Sequence, residues 1–268
     1  MSSVDGTSLL ANLAVSAGVI AVLMAVTSLL AFRKSLHSIV DVAWGIGFVL
    51  VATVSAALSV SQGNDERKVV TLALVATWGL RLAIYLYRRA QGRGEDQRYE
   101  TLLSRRERSK TLFALTHIYL PQGLIMWLVS VPIQVCVYER SPLGVLGWVS
   151  AGVAAAGLLV EAVSDAQLQA FRSEPANAGQ VLSKGLWAWS RHPNYFGDTC
   201  LWWGVWGLAS TTWIGVASVF SPIVMTFMIV AKTGKSLLEK NLLVSKGESY
   251  ARYVQSTSGF LPRRPRRR

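Results

Sequence analysis

The sequence predicts an all-α, polytopic membrane protein with a bundle of seven transmembrane helices, and two observations carry this prediction. Apolar residues make up 51% of the 268 residues and charged residues only 16%. The apolar residues are gathered in long runs, most of them near the ~20 residues that a helix needs to cross the hydrocarbon core of a bilayer. The basic residues lie mainly between alternate pairs of runs, as the positive-inside rule expects.

The apolar runs define the predicted spans in chain order. The first five cover about residues 9–31, 39–60, 69–87, 112–137 and 143–163. A continuous apolar block follows, and its length suits two slightly short helices at 196–211 and 213–231. The first run has no basic residue before it and is long enough to span, so it is predicted to be a retained signal-anchor helix. No internal repeat or linker divides the chain, so 1–268 is predicted to be a single membrane domain.

The placement of Lys and Arg tests the number of spans independently. With the N-terminus outside, seven spans put residues 32–38, 88–111, 164–195 and 232–268 on the cytoplasmic side. These segments hold 2, 8, 3 and 10 basic residues, which is 23 of the 27 in the chain. A six- or eight-span count would destroy this asymmetry, so the sequence predicts an outside N-terminus and a cytoplasmic C-terminus in the cell membrane.

The composition argues against several classes of partner. The net charge of +12 would suit nucleic acid, but no nucleic-acid motif accompanies it, and the basic tail 263–268 is predicted to lie over anionic headgroups. Cys136 and Cys200 are expected at opposite membrane faces, and the three histidines are scattered, so no disulfide framework or metal site is predicted. The expected partners are the lipid bilayer and an apolar, lipid-like small molecule. The sequence does not indicate an oligomeric state.

A dense row of polar side chains, including Arg191, His192, Asn194 and Asp198, lies just before and at the start of the sixth run. Lipid offers hydrogen-bond partners to none of them, so such residues at a membrane boundary usually face protein, water or a polar ligand. The alternative is that they only mark a helix start, with Pro193 in the first turn. Segments 164–198 and 232–262 are the predicted cofactor-binding region.

Two further segments add candidate residues. At helical spacing Asp165, Gln169 and Arg172 share one face, which can hold a ligand or simply be the wet side of a helix that leaves the membrane. Tyr250 and Tyr253 share a face of the final helix, where they either pack at the membrane interface or line a site, if the tail folds back.

These strings carry a family resemblance. DAQLQAFR, GLWAWSRHPNYFGD, LLEK and KGESYARYVQSTSGFLP look like the C-terminal half of the membrane steroid 5-alpha-reductase superfamily, and most resemble its bacterial branch known as domain of unknown function 1295. The strings DVAWGIGFVLVA, WGLRLAIYL and GRGEDQRY also resemble that branch, so the similarity covers most of the chain.

The resemblance implies a seven-helix membrane reductase that binds NADPH on its cytoplasmic side and reduces an apolar alkene. Carried over residue by residue, the family's cofactor contacts fall on Asp165, Arg172, Leu182, Trp187, His192, Asn194, Tyr195, Asp198, Tyr253 and, with it, Tyr250. Arg191 is added on chemical grounds, because guanidinium groups bind phosphates with two parallel hydrogen bonds. The superfamily's sterol reductases carry a Lys at the position of Leu168 and an acidic residue at that of Leu238.

The proton donor of the superfamily has no counterpart at the matching position of this sequence. The superfamily's Tyr in this region falls on Trp78, which cannot act as an acid, so Asp41, Tyr85 and Tyr99 are the candidate catalytic residues. A buried carboxyl can donate a proton, which is why Asp41 is included. Asp41 can equally be an N-terminal helix charge, and Tyr85 an interfacial aromatic residue.

Two rival functions remain open at this stage. The first is an S-adenosylmethionine-dependent membrane methyltransferase, because the isoprenylcysteine carboxyl methyltransferases share a similar Arg-His-Pro motif and a late Tyr. The DAQLQAFR string favours the reductase, since an Arg that binds phosphate has more use with a dinucleotide. The second is a non-enzymatic lipid-binding or scaffolding protein, which would not need so dense a polar row.

Overall fold

The computed structural model describes residues 4–104, 110–232 and 235–265, and every regular element in these ranges is a helix. The all-α prediction is therefore confirmed for the described residues. Parts of the predicted cytoplasmic segments, including the last three residues of the basic tail, lie outside them.

The helices follow the predicted order. Helices α1 (Gly6–Lys34), α2 (Ile39–Leu58) and α3 (Asp65–Ala90) are followed by the short α4 (Gln97–Ser104). The fourth apolar run is built from α5 (Lys110–Ala114), a π-helical turn (Leu115–Tyr119), α6 (Leu120–Val129) and α7 (Val131–Tyr138). Then come α8 (Gly144–Ser173), two 3₁₀ turns (Pro175–Asn177 and Gly185–Ala188) and α9 (Pro193–Ala209). The chain continues with α10 (Trp213–Ala217), α11 (Phe220–Phe227), a second π-helical turn (Met228–Lys232), α12 (Lys235–Lys246) and α13 (Glu248–Ser256).

Six described helical stretches are long and apolar enough to cross a membrane. They are Gly6–Lys34, Ile39–Leu58, Asp65–Ala90, Lys110–Tyr138, Gly144–Ser173 and Trp213–Ala231. The chain is therefore a multi-pass membrane protein. The predicted sixth span corresponds to α9, whose 17 residues rise about 26 Å at 1.5 Å per residue, slightly less than the hydrocarbon core. The seven-span count and the orientation stay predictions.

The chain divides into two compact units. Unit 1 comprises Met1–Gly147 with Leu208–Ser221, and unit 2 comprises Trp148–Gly207 with Pro222–Arg268. That the two form the single membrane domain predicted from the sequence stays a prediction.

Unit 1 is held together by close backbone contact and by buried polar groups. A Cβ on Gly45 of α2 would lie 2.2 Å from the carbonyl oxygen of Gly79 on α3, so only glycine allows this approach. The Gln134 Oε1 atom accepts hydrogen bonds from Asn12 at 2.9 Å and from Ser16 at 2.7 Å. Such links between polar side chains stabilise helix pairs where water is absent, because lipid offers no partner.

Unit 2 is built around the packing of α8 on α9. A Cβ on Gly157 would lie 2.5 Å from the Gly197 carbonyl oxygen, and one on Gly204 would lie 2.6 Å from the backbone nitrogen of Ala154. Small residues on both helices thus bring the backbones into contact, as is common in membrane helix pairs. This packing brings Asp165 of α8 beside the first turn of α9.

Candidate functional site

The centre of unit 2 is a charged cluster in which Glu239 of α12 accepts two hydrogen bonds through one oxygen. Arg191 Nε donates to Glu239 Oε1 at 2.9 Å, and His192 Nε2 lies 3.0 Å from the same oxygen. Burial opposes ionisation of Glu239, but the hydrogen bonds from His192 and Arg191 and the Arg191 charge outweigh it and lower the pKa of Glu239 to about 2. The carboxylate is therefore ionised throughout the physiological range.

His192 is neutral in this environment, and its partner fixes the tautomer. Burial lowers the pKa of His192 below its ordinary value, although the Glu239 carboxylate opposes the shift. Because a carboxylate only accepts, the proton of the neutral ring lies on Nε2, and Nδ1 is left as an acceptor. The His192 side chain is 1% exposed, and its Nδ1 atom has no hydrogen-bond partner among the described residues.

A second acceptor of the same kind lies in the first turn of α9. Asn194 Nδ2 donates to Asp165 Oδ1 at 3.2 Å, which leaves Asn194 Oδ1 buried and without a partner in the described part of the chain. The Tyr195 ring stacks on the His192 ring, with centroids 5.3 Å apart and planes within 3°. The site thus offers two unfilled acceptors beside a flat aromatic surface.

The C-terminal tail folds back onto the segment before α9. The Tyr253 hydroxyl donates to the Trp187 carbonyl at 2.5 Å, and the Ser190 hydroxyl donates to the Phe260 carbonyl at 2.7 Å. The Trp187 indole in turn donates to the Ser164 carbonyl at 3.1 Å. These bonds join α8, the 3₁₀ turn at 185–188 and α13, so the tail is an integral part of the site.

Besides its hydrogen bond to Glu239, Arg191 also binds the C-terminal tail. Its Nη1 atom donates to the carbonyls of Thr257 at 2.7 Å and Val254 at 3.1 Å. The nearby Tyr250 is buried, which together with the Glu239 charge raises the pKa of its phenol to about 12, against the opposing effect of Arg191. Arg191 and the tail tyrosines therefore support the walls of the site, and a direct contact of Arg191 with phosphate stays a prediction.

The remaining predicted residues of unit 2 are placed differently. Arg172 is exposed in the last turn of α8, seven residues or about 10 Å along the axis from the buried Asp165. Leu182 is half-buried in the loop between the two 3₁₀ turns, and Asp198 is half-buried in α9. The structure gathers Asp165, Trp187, Arg191, His192, Asn194, Tyr195, Tyr250 and Tyr253 into one cluster, and Arg172 lies at the surface.

Glu239 belongs to the candidate site and was not predicted from the sequence. It is part of the LLEK string, directly after the Leu238 position at which the resemblance expects an acidic residue. An acidic residue one position away, in a helix of the predicted cofactor segment, was the available signal. A match shifted by one residue would place the acidic position of the resemblance on Glu239.

In unit 1 the structure joins two of the three predicted catalytic residues. The Tyr99 hydroxyl donates to Asp41 Oδ1 at 2.7 Å, and Arg98 Nη2 lies 2.6 Å from Asp41 Oδ2. Burial and the Asp41 charge raise the pKa of Tyr99, so its phenol keeps its proton. Tyr85 is half-buried on α3.

The described residues contain no group of three or more His, Cys, Asp or Glu side chains able to hold a metal ion. Cys136 and Cys200 are both free thiols.

The apolar helices define an integral membrane protein. Its unit 2 contains a buried cluster of polar side chains. Residues 27–257 match the model of a family described as "Protein of unknown function (DUF1295)". The chain belongs to this family. Comparison with curated proteins and with solved structures gave no match.

Proposed function

We propose that the protein is an NADPH-dependent membrane reductase of the steroid 5-alpha-reductase type that acts on a carbon–carbon double bond of a lipid-like substrate. The observation that carries the proposal is the pair of buried acceptors, His192 Nδ1 and Asn194 Oδ1, that have no partner among the described residues. Leaving a buried polar atom unpaired costs roughly 1–3 kcal/mol, so a pair of them in one site favours a ligand that supplies donors.

The donor chemistry of NADPH suits this site. Its carboxamide and ribose hydroxyls would donate to His192 Nδ1 and Asn194 Oδ1, and the stacked rings of His192 and Tyr195 would offer a flat face to a base. Glu239 serves the site indirectly, because it holds His192 in the tautomer that accepts. When bound, NADPH supplies a hydride, and the protein must supply binding, orientation and a proton.

Arg172 is the proposed phosphate ligand. It is exposed at the end of α8, the helix that also carries the buried Asp165. A guanidinium group can bind the ribose phosphate of NADPH with paired hydrogen bonds, and the lack of this phosphate in NADH gives a basis for discrimination.

The proton donor is proposed to lie in unit 1. Asp41 and Tyr99 form a hydrogen-bonded pair, and the raised pKa of Tyr99 keeps its phenol able to donate. Tyr85 remains a third candidate. The proposed topology has seven spans with the C-terminus in the cytoplasm, which puts 23 of the 27 basic residues on the cytoplasmic side of the cell membrane.

A methyltransferase is the alternative that the same atoms allow. S-adenosylmethionine carries ribose hydroxyls and an ammonium group, which are also donors for His192 Nδ1 and Asn194 Oδ1. It has no phosphate, and its single carboxylate is the only anionic group that it can offer to Arg172.

A binding titration separates these functions. The full-length protein in detergent is titrated with NADPH, NADH and S-adenosylmethionine, and the fluorescence of its ten tryptophans is followed. We expect saturable quenching by NADPH, weaker quenching by NADH and none by S-adenosylmethionine. His192→Phe should weaken NADPH binding roughly fivefold, because one hydrogen bond is worth about 1 kcal/mol.

The matched control makes the same substitution at an exposed histidine, His117→Phe, and should leave binding unchanged. A response to S-adenosylmethionine alone would establish the methyltransferase. No response to any of the three ligands would contradict both enzymes and favour a lipid-binding or scaffolding role.

A further inference from the structure

Unit 1 contains an apolar cavity of about 520 Å³ between α1 and the helical run 115–127. This size falls within the roughly 300–1,000 Å³ of typical ligand pockets. Ala17 and Ala21 on α1 and Gly123 on α6 contribute small side chains to its walls. The walls carry no charged residue, so the cavity suits a hydrocarbon chain.

The two ends of the cavity differ in chemistry. At one end the Trp127 indole donates to the Leu13 carbonyl at 3.0 Å, so its only donor is occupied. At the other end the Tyr119 hydroxyl lies 2.8 Å from His37 Nδ1. The α1 wall runs from Ala17 to Ser28, and the eleven helical steps between them rise about 17 Å along the helix axis. The cavity is therefore long, apolar and polar at one end.

The Tyr119–His37 pair has one donor more than it uses. Burial lowers the pKa of His37 below its ordinary value, so the ring is neutral near pH 7. If Nδ1 accepts from the phenol, the proton on Nε2 remains; if Nδ1 donates, the phenol proton remains. Of the two groups only Tyr119 lines the cavity, so the tautomer in which Nδ1 donates leaves the phenol proton free for a ligand there.

Two features of the backbone hold this pair in place. Tyr119 is the last residue of the π-helical turn Leu115–Tyr119, and such turns often occur at functional sites. Glu95 accepts hydrogen bonds from the backbone nitrogens of His37 and Ser38, the latter at 2.9 Å. The loop that carries His37 is thus fixed by a carboxylate, while its ring faces Tyr119.

We infer that this cavity binds a single-chain lipid whose hydrocarbon chain lies along α1 and whose carbonyl oxygen accepts a hydrogen bond from the Tyr119–His37 pair. The spare group of the pair is a donor, and a carbonyl oxygen is the acceptor that lipids most often carry close to an apolar chain. The role of this lipid as substrate rests on the proposed reductase function, whereas the binding of the lipid is independent of that function.

Photoaffinity labelling tests the inference without any nucleotide. The full-length protein in detergent is labelled with a long-chain methyl ester that carries a diazirine in its chain, and the labelled peptides are mapped. We expect labels within Gly6–Lys34 and within 115–127. An unlabelled methyl ester should compete roughly two- to tenfold better than an alkane of the same length, which is the value of one hydrogen bond.

Variants at the polar end and in the walls distinguish the contribution of the hydrogen bond from that of the apolar cavity. Tyr119→Phe should bring the ester down to the affinity of the alkane, whereas Tyr87→Phe, at an exposed tyrosine, should change nothing. Ala21→Leu on one wall and Gly123→Leu on the other should each abolish labelling of both segments. Two such variants are used so that a folding defect in one leaves the other informative.

Three outcomes would overturn the inference: labels confined to other segments, labelling that survives both wall variants, or equal competition by ester and alkane. Protection of the same peptides by self-association of the protein would assign the face to a second copy instead. Because no nucleotide is present, ester binding without NADPH binding would refute only the proposed reductase, and the reverse would refute only the lipid site.

Discussion

The two candidate sites differ in the hydrogen-bonding groups that they leave available to a ligand. In unit 2 Arg191 and His192 Nε2 donate to Glu239 and to tail carbonyls. The acceptors His192 Nδ1 and Asn194 Oδ1 and the hydroxyl of Tyr250 are left without a partner among the described residues. In unit 1 the Tyr119–His37 pair at the end of an apolar cavity keeps a spare donor. Spare acceptors favour a ligand rich in hydroxyl and amide groups, whereas a spare donor beside hydrocarbon favours a lipid carbonyl.

The two proposals made above therefore concern different units, with the nucleotide in unit 2 and the lipid in unit 1. They also predict that substitutions will divide into two classes. Changes in unit 2 should alter nucleotide affinity, and changes in unit 1 should alter lipid binding or turnover at unchanged nucleotide affinity.

The largest effect is expected for Asp41→Asn. The substitution removes the carboxylate that accepts from Tyr99 and pairs with Arg98. Since positioned acid–base groups contribute roughly 10²- to 10⁴-fold to rate, kcat should fall by at least about 100-fold while the Kd for NADPH stays constant. Turnover with lipid extract as substrate and tryptophan quenching measure the two quantities.

Asp65→Asn is the control for Asp41→Asn, because Asp65 is an exposed carboxylate at the start of α3. Unaltered turnover in Asp41→Asn would return Asp41 to the role of a helix N-terminal charge.

Arg172→Ala should come next in size. Loss of a charge-assisted hydrogen bond worth roughly 1.5–3 kcal/mol should raise the Kd for NADPH about 10- to 150-fold, with little change for NADH. Arg93→Ala, at another exposed arginine, is the matched control. An unchanged Kd would exclude Arg172 from the site, and DAQLQAFR would then no longer favour a reductase over a methyltransferase.

Gly197→Ala should destabilise unit 2 without touching a ligand. A Cβ on Gly197 would lie 2.5 Å from the Gly157 carbonyl oxygen, and backbone cannot move aside as a flexible side chain can. Overpacking of this kind costs roughly 1–3 kcal/mol, so the thermal midpoint in detergent should drop by several degrees.

The control for Gly197→Ala is Gly94→Ala, where a Cβ would meet nothing within 4 Å. A wild-type midpoint in Gly197→Ala would mean that α8 and α9 pack less closely than described.

The helices themselves were largely predictable from the sequence. The second predicted span, 39–60, agrees with Ile39–Leu58 to within two residues, because hydropathy reports directly which residues lipid accepts. The start of α9 was placed at 196, but the helix begins at Pro193. Proline suits the first helical turn. The residues that follow it are polar, so hydropathy alone placed the start of the helix too late.

The partners of the polar residues were not predictable. Glu239 and His192 are 47 residues apart, and nothing local in LLEK indicates a contact with RHPN. Tyr119 resembles an ordinary interfacial tyrosine in sequence, and its pairing with His37 depends on how the 110–138 run packs against α1. Hydrogen-bond partners across such distances follow from tertiary packing, which periodicity and hydropathy do not encode.

The smallest and sharpest effect concerns pH and Glu239→Gln. The folded-state pKa of Glu239 is about 2, below the ~4.3 of an unfolded glutamate. Its contribution to stability is thus fully present above pH 4.3 or so and is lost as pH falls toward 2. The difference in free energy of unfolding between wild type and Glu239→Gln, followed through the thermal midpoint, should be constant from pH 5 to 7, at roughly 1.5–3 kcal/mol for charge-assisted hydrogen bonds.

Below about pH 4.5 the same difference should shrink and approach zero near pH 2. Glu100→Gln, at an exposed residue of α4, should show no such pH-dependent gap. His192 titrates in a separate window, because burial lowers its pKa and stability falls as the pH drops below its ordinary value of about 6.5. A gap that instead widened as the pH fell through about 6 would mean that a protonated His192 binds the Glu239 carboxylate. Nδ1 of His192 would then be a donor, and it could not be the acceptor proposed for NADPH.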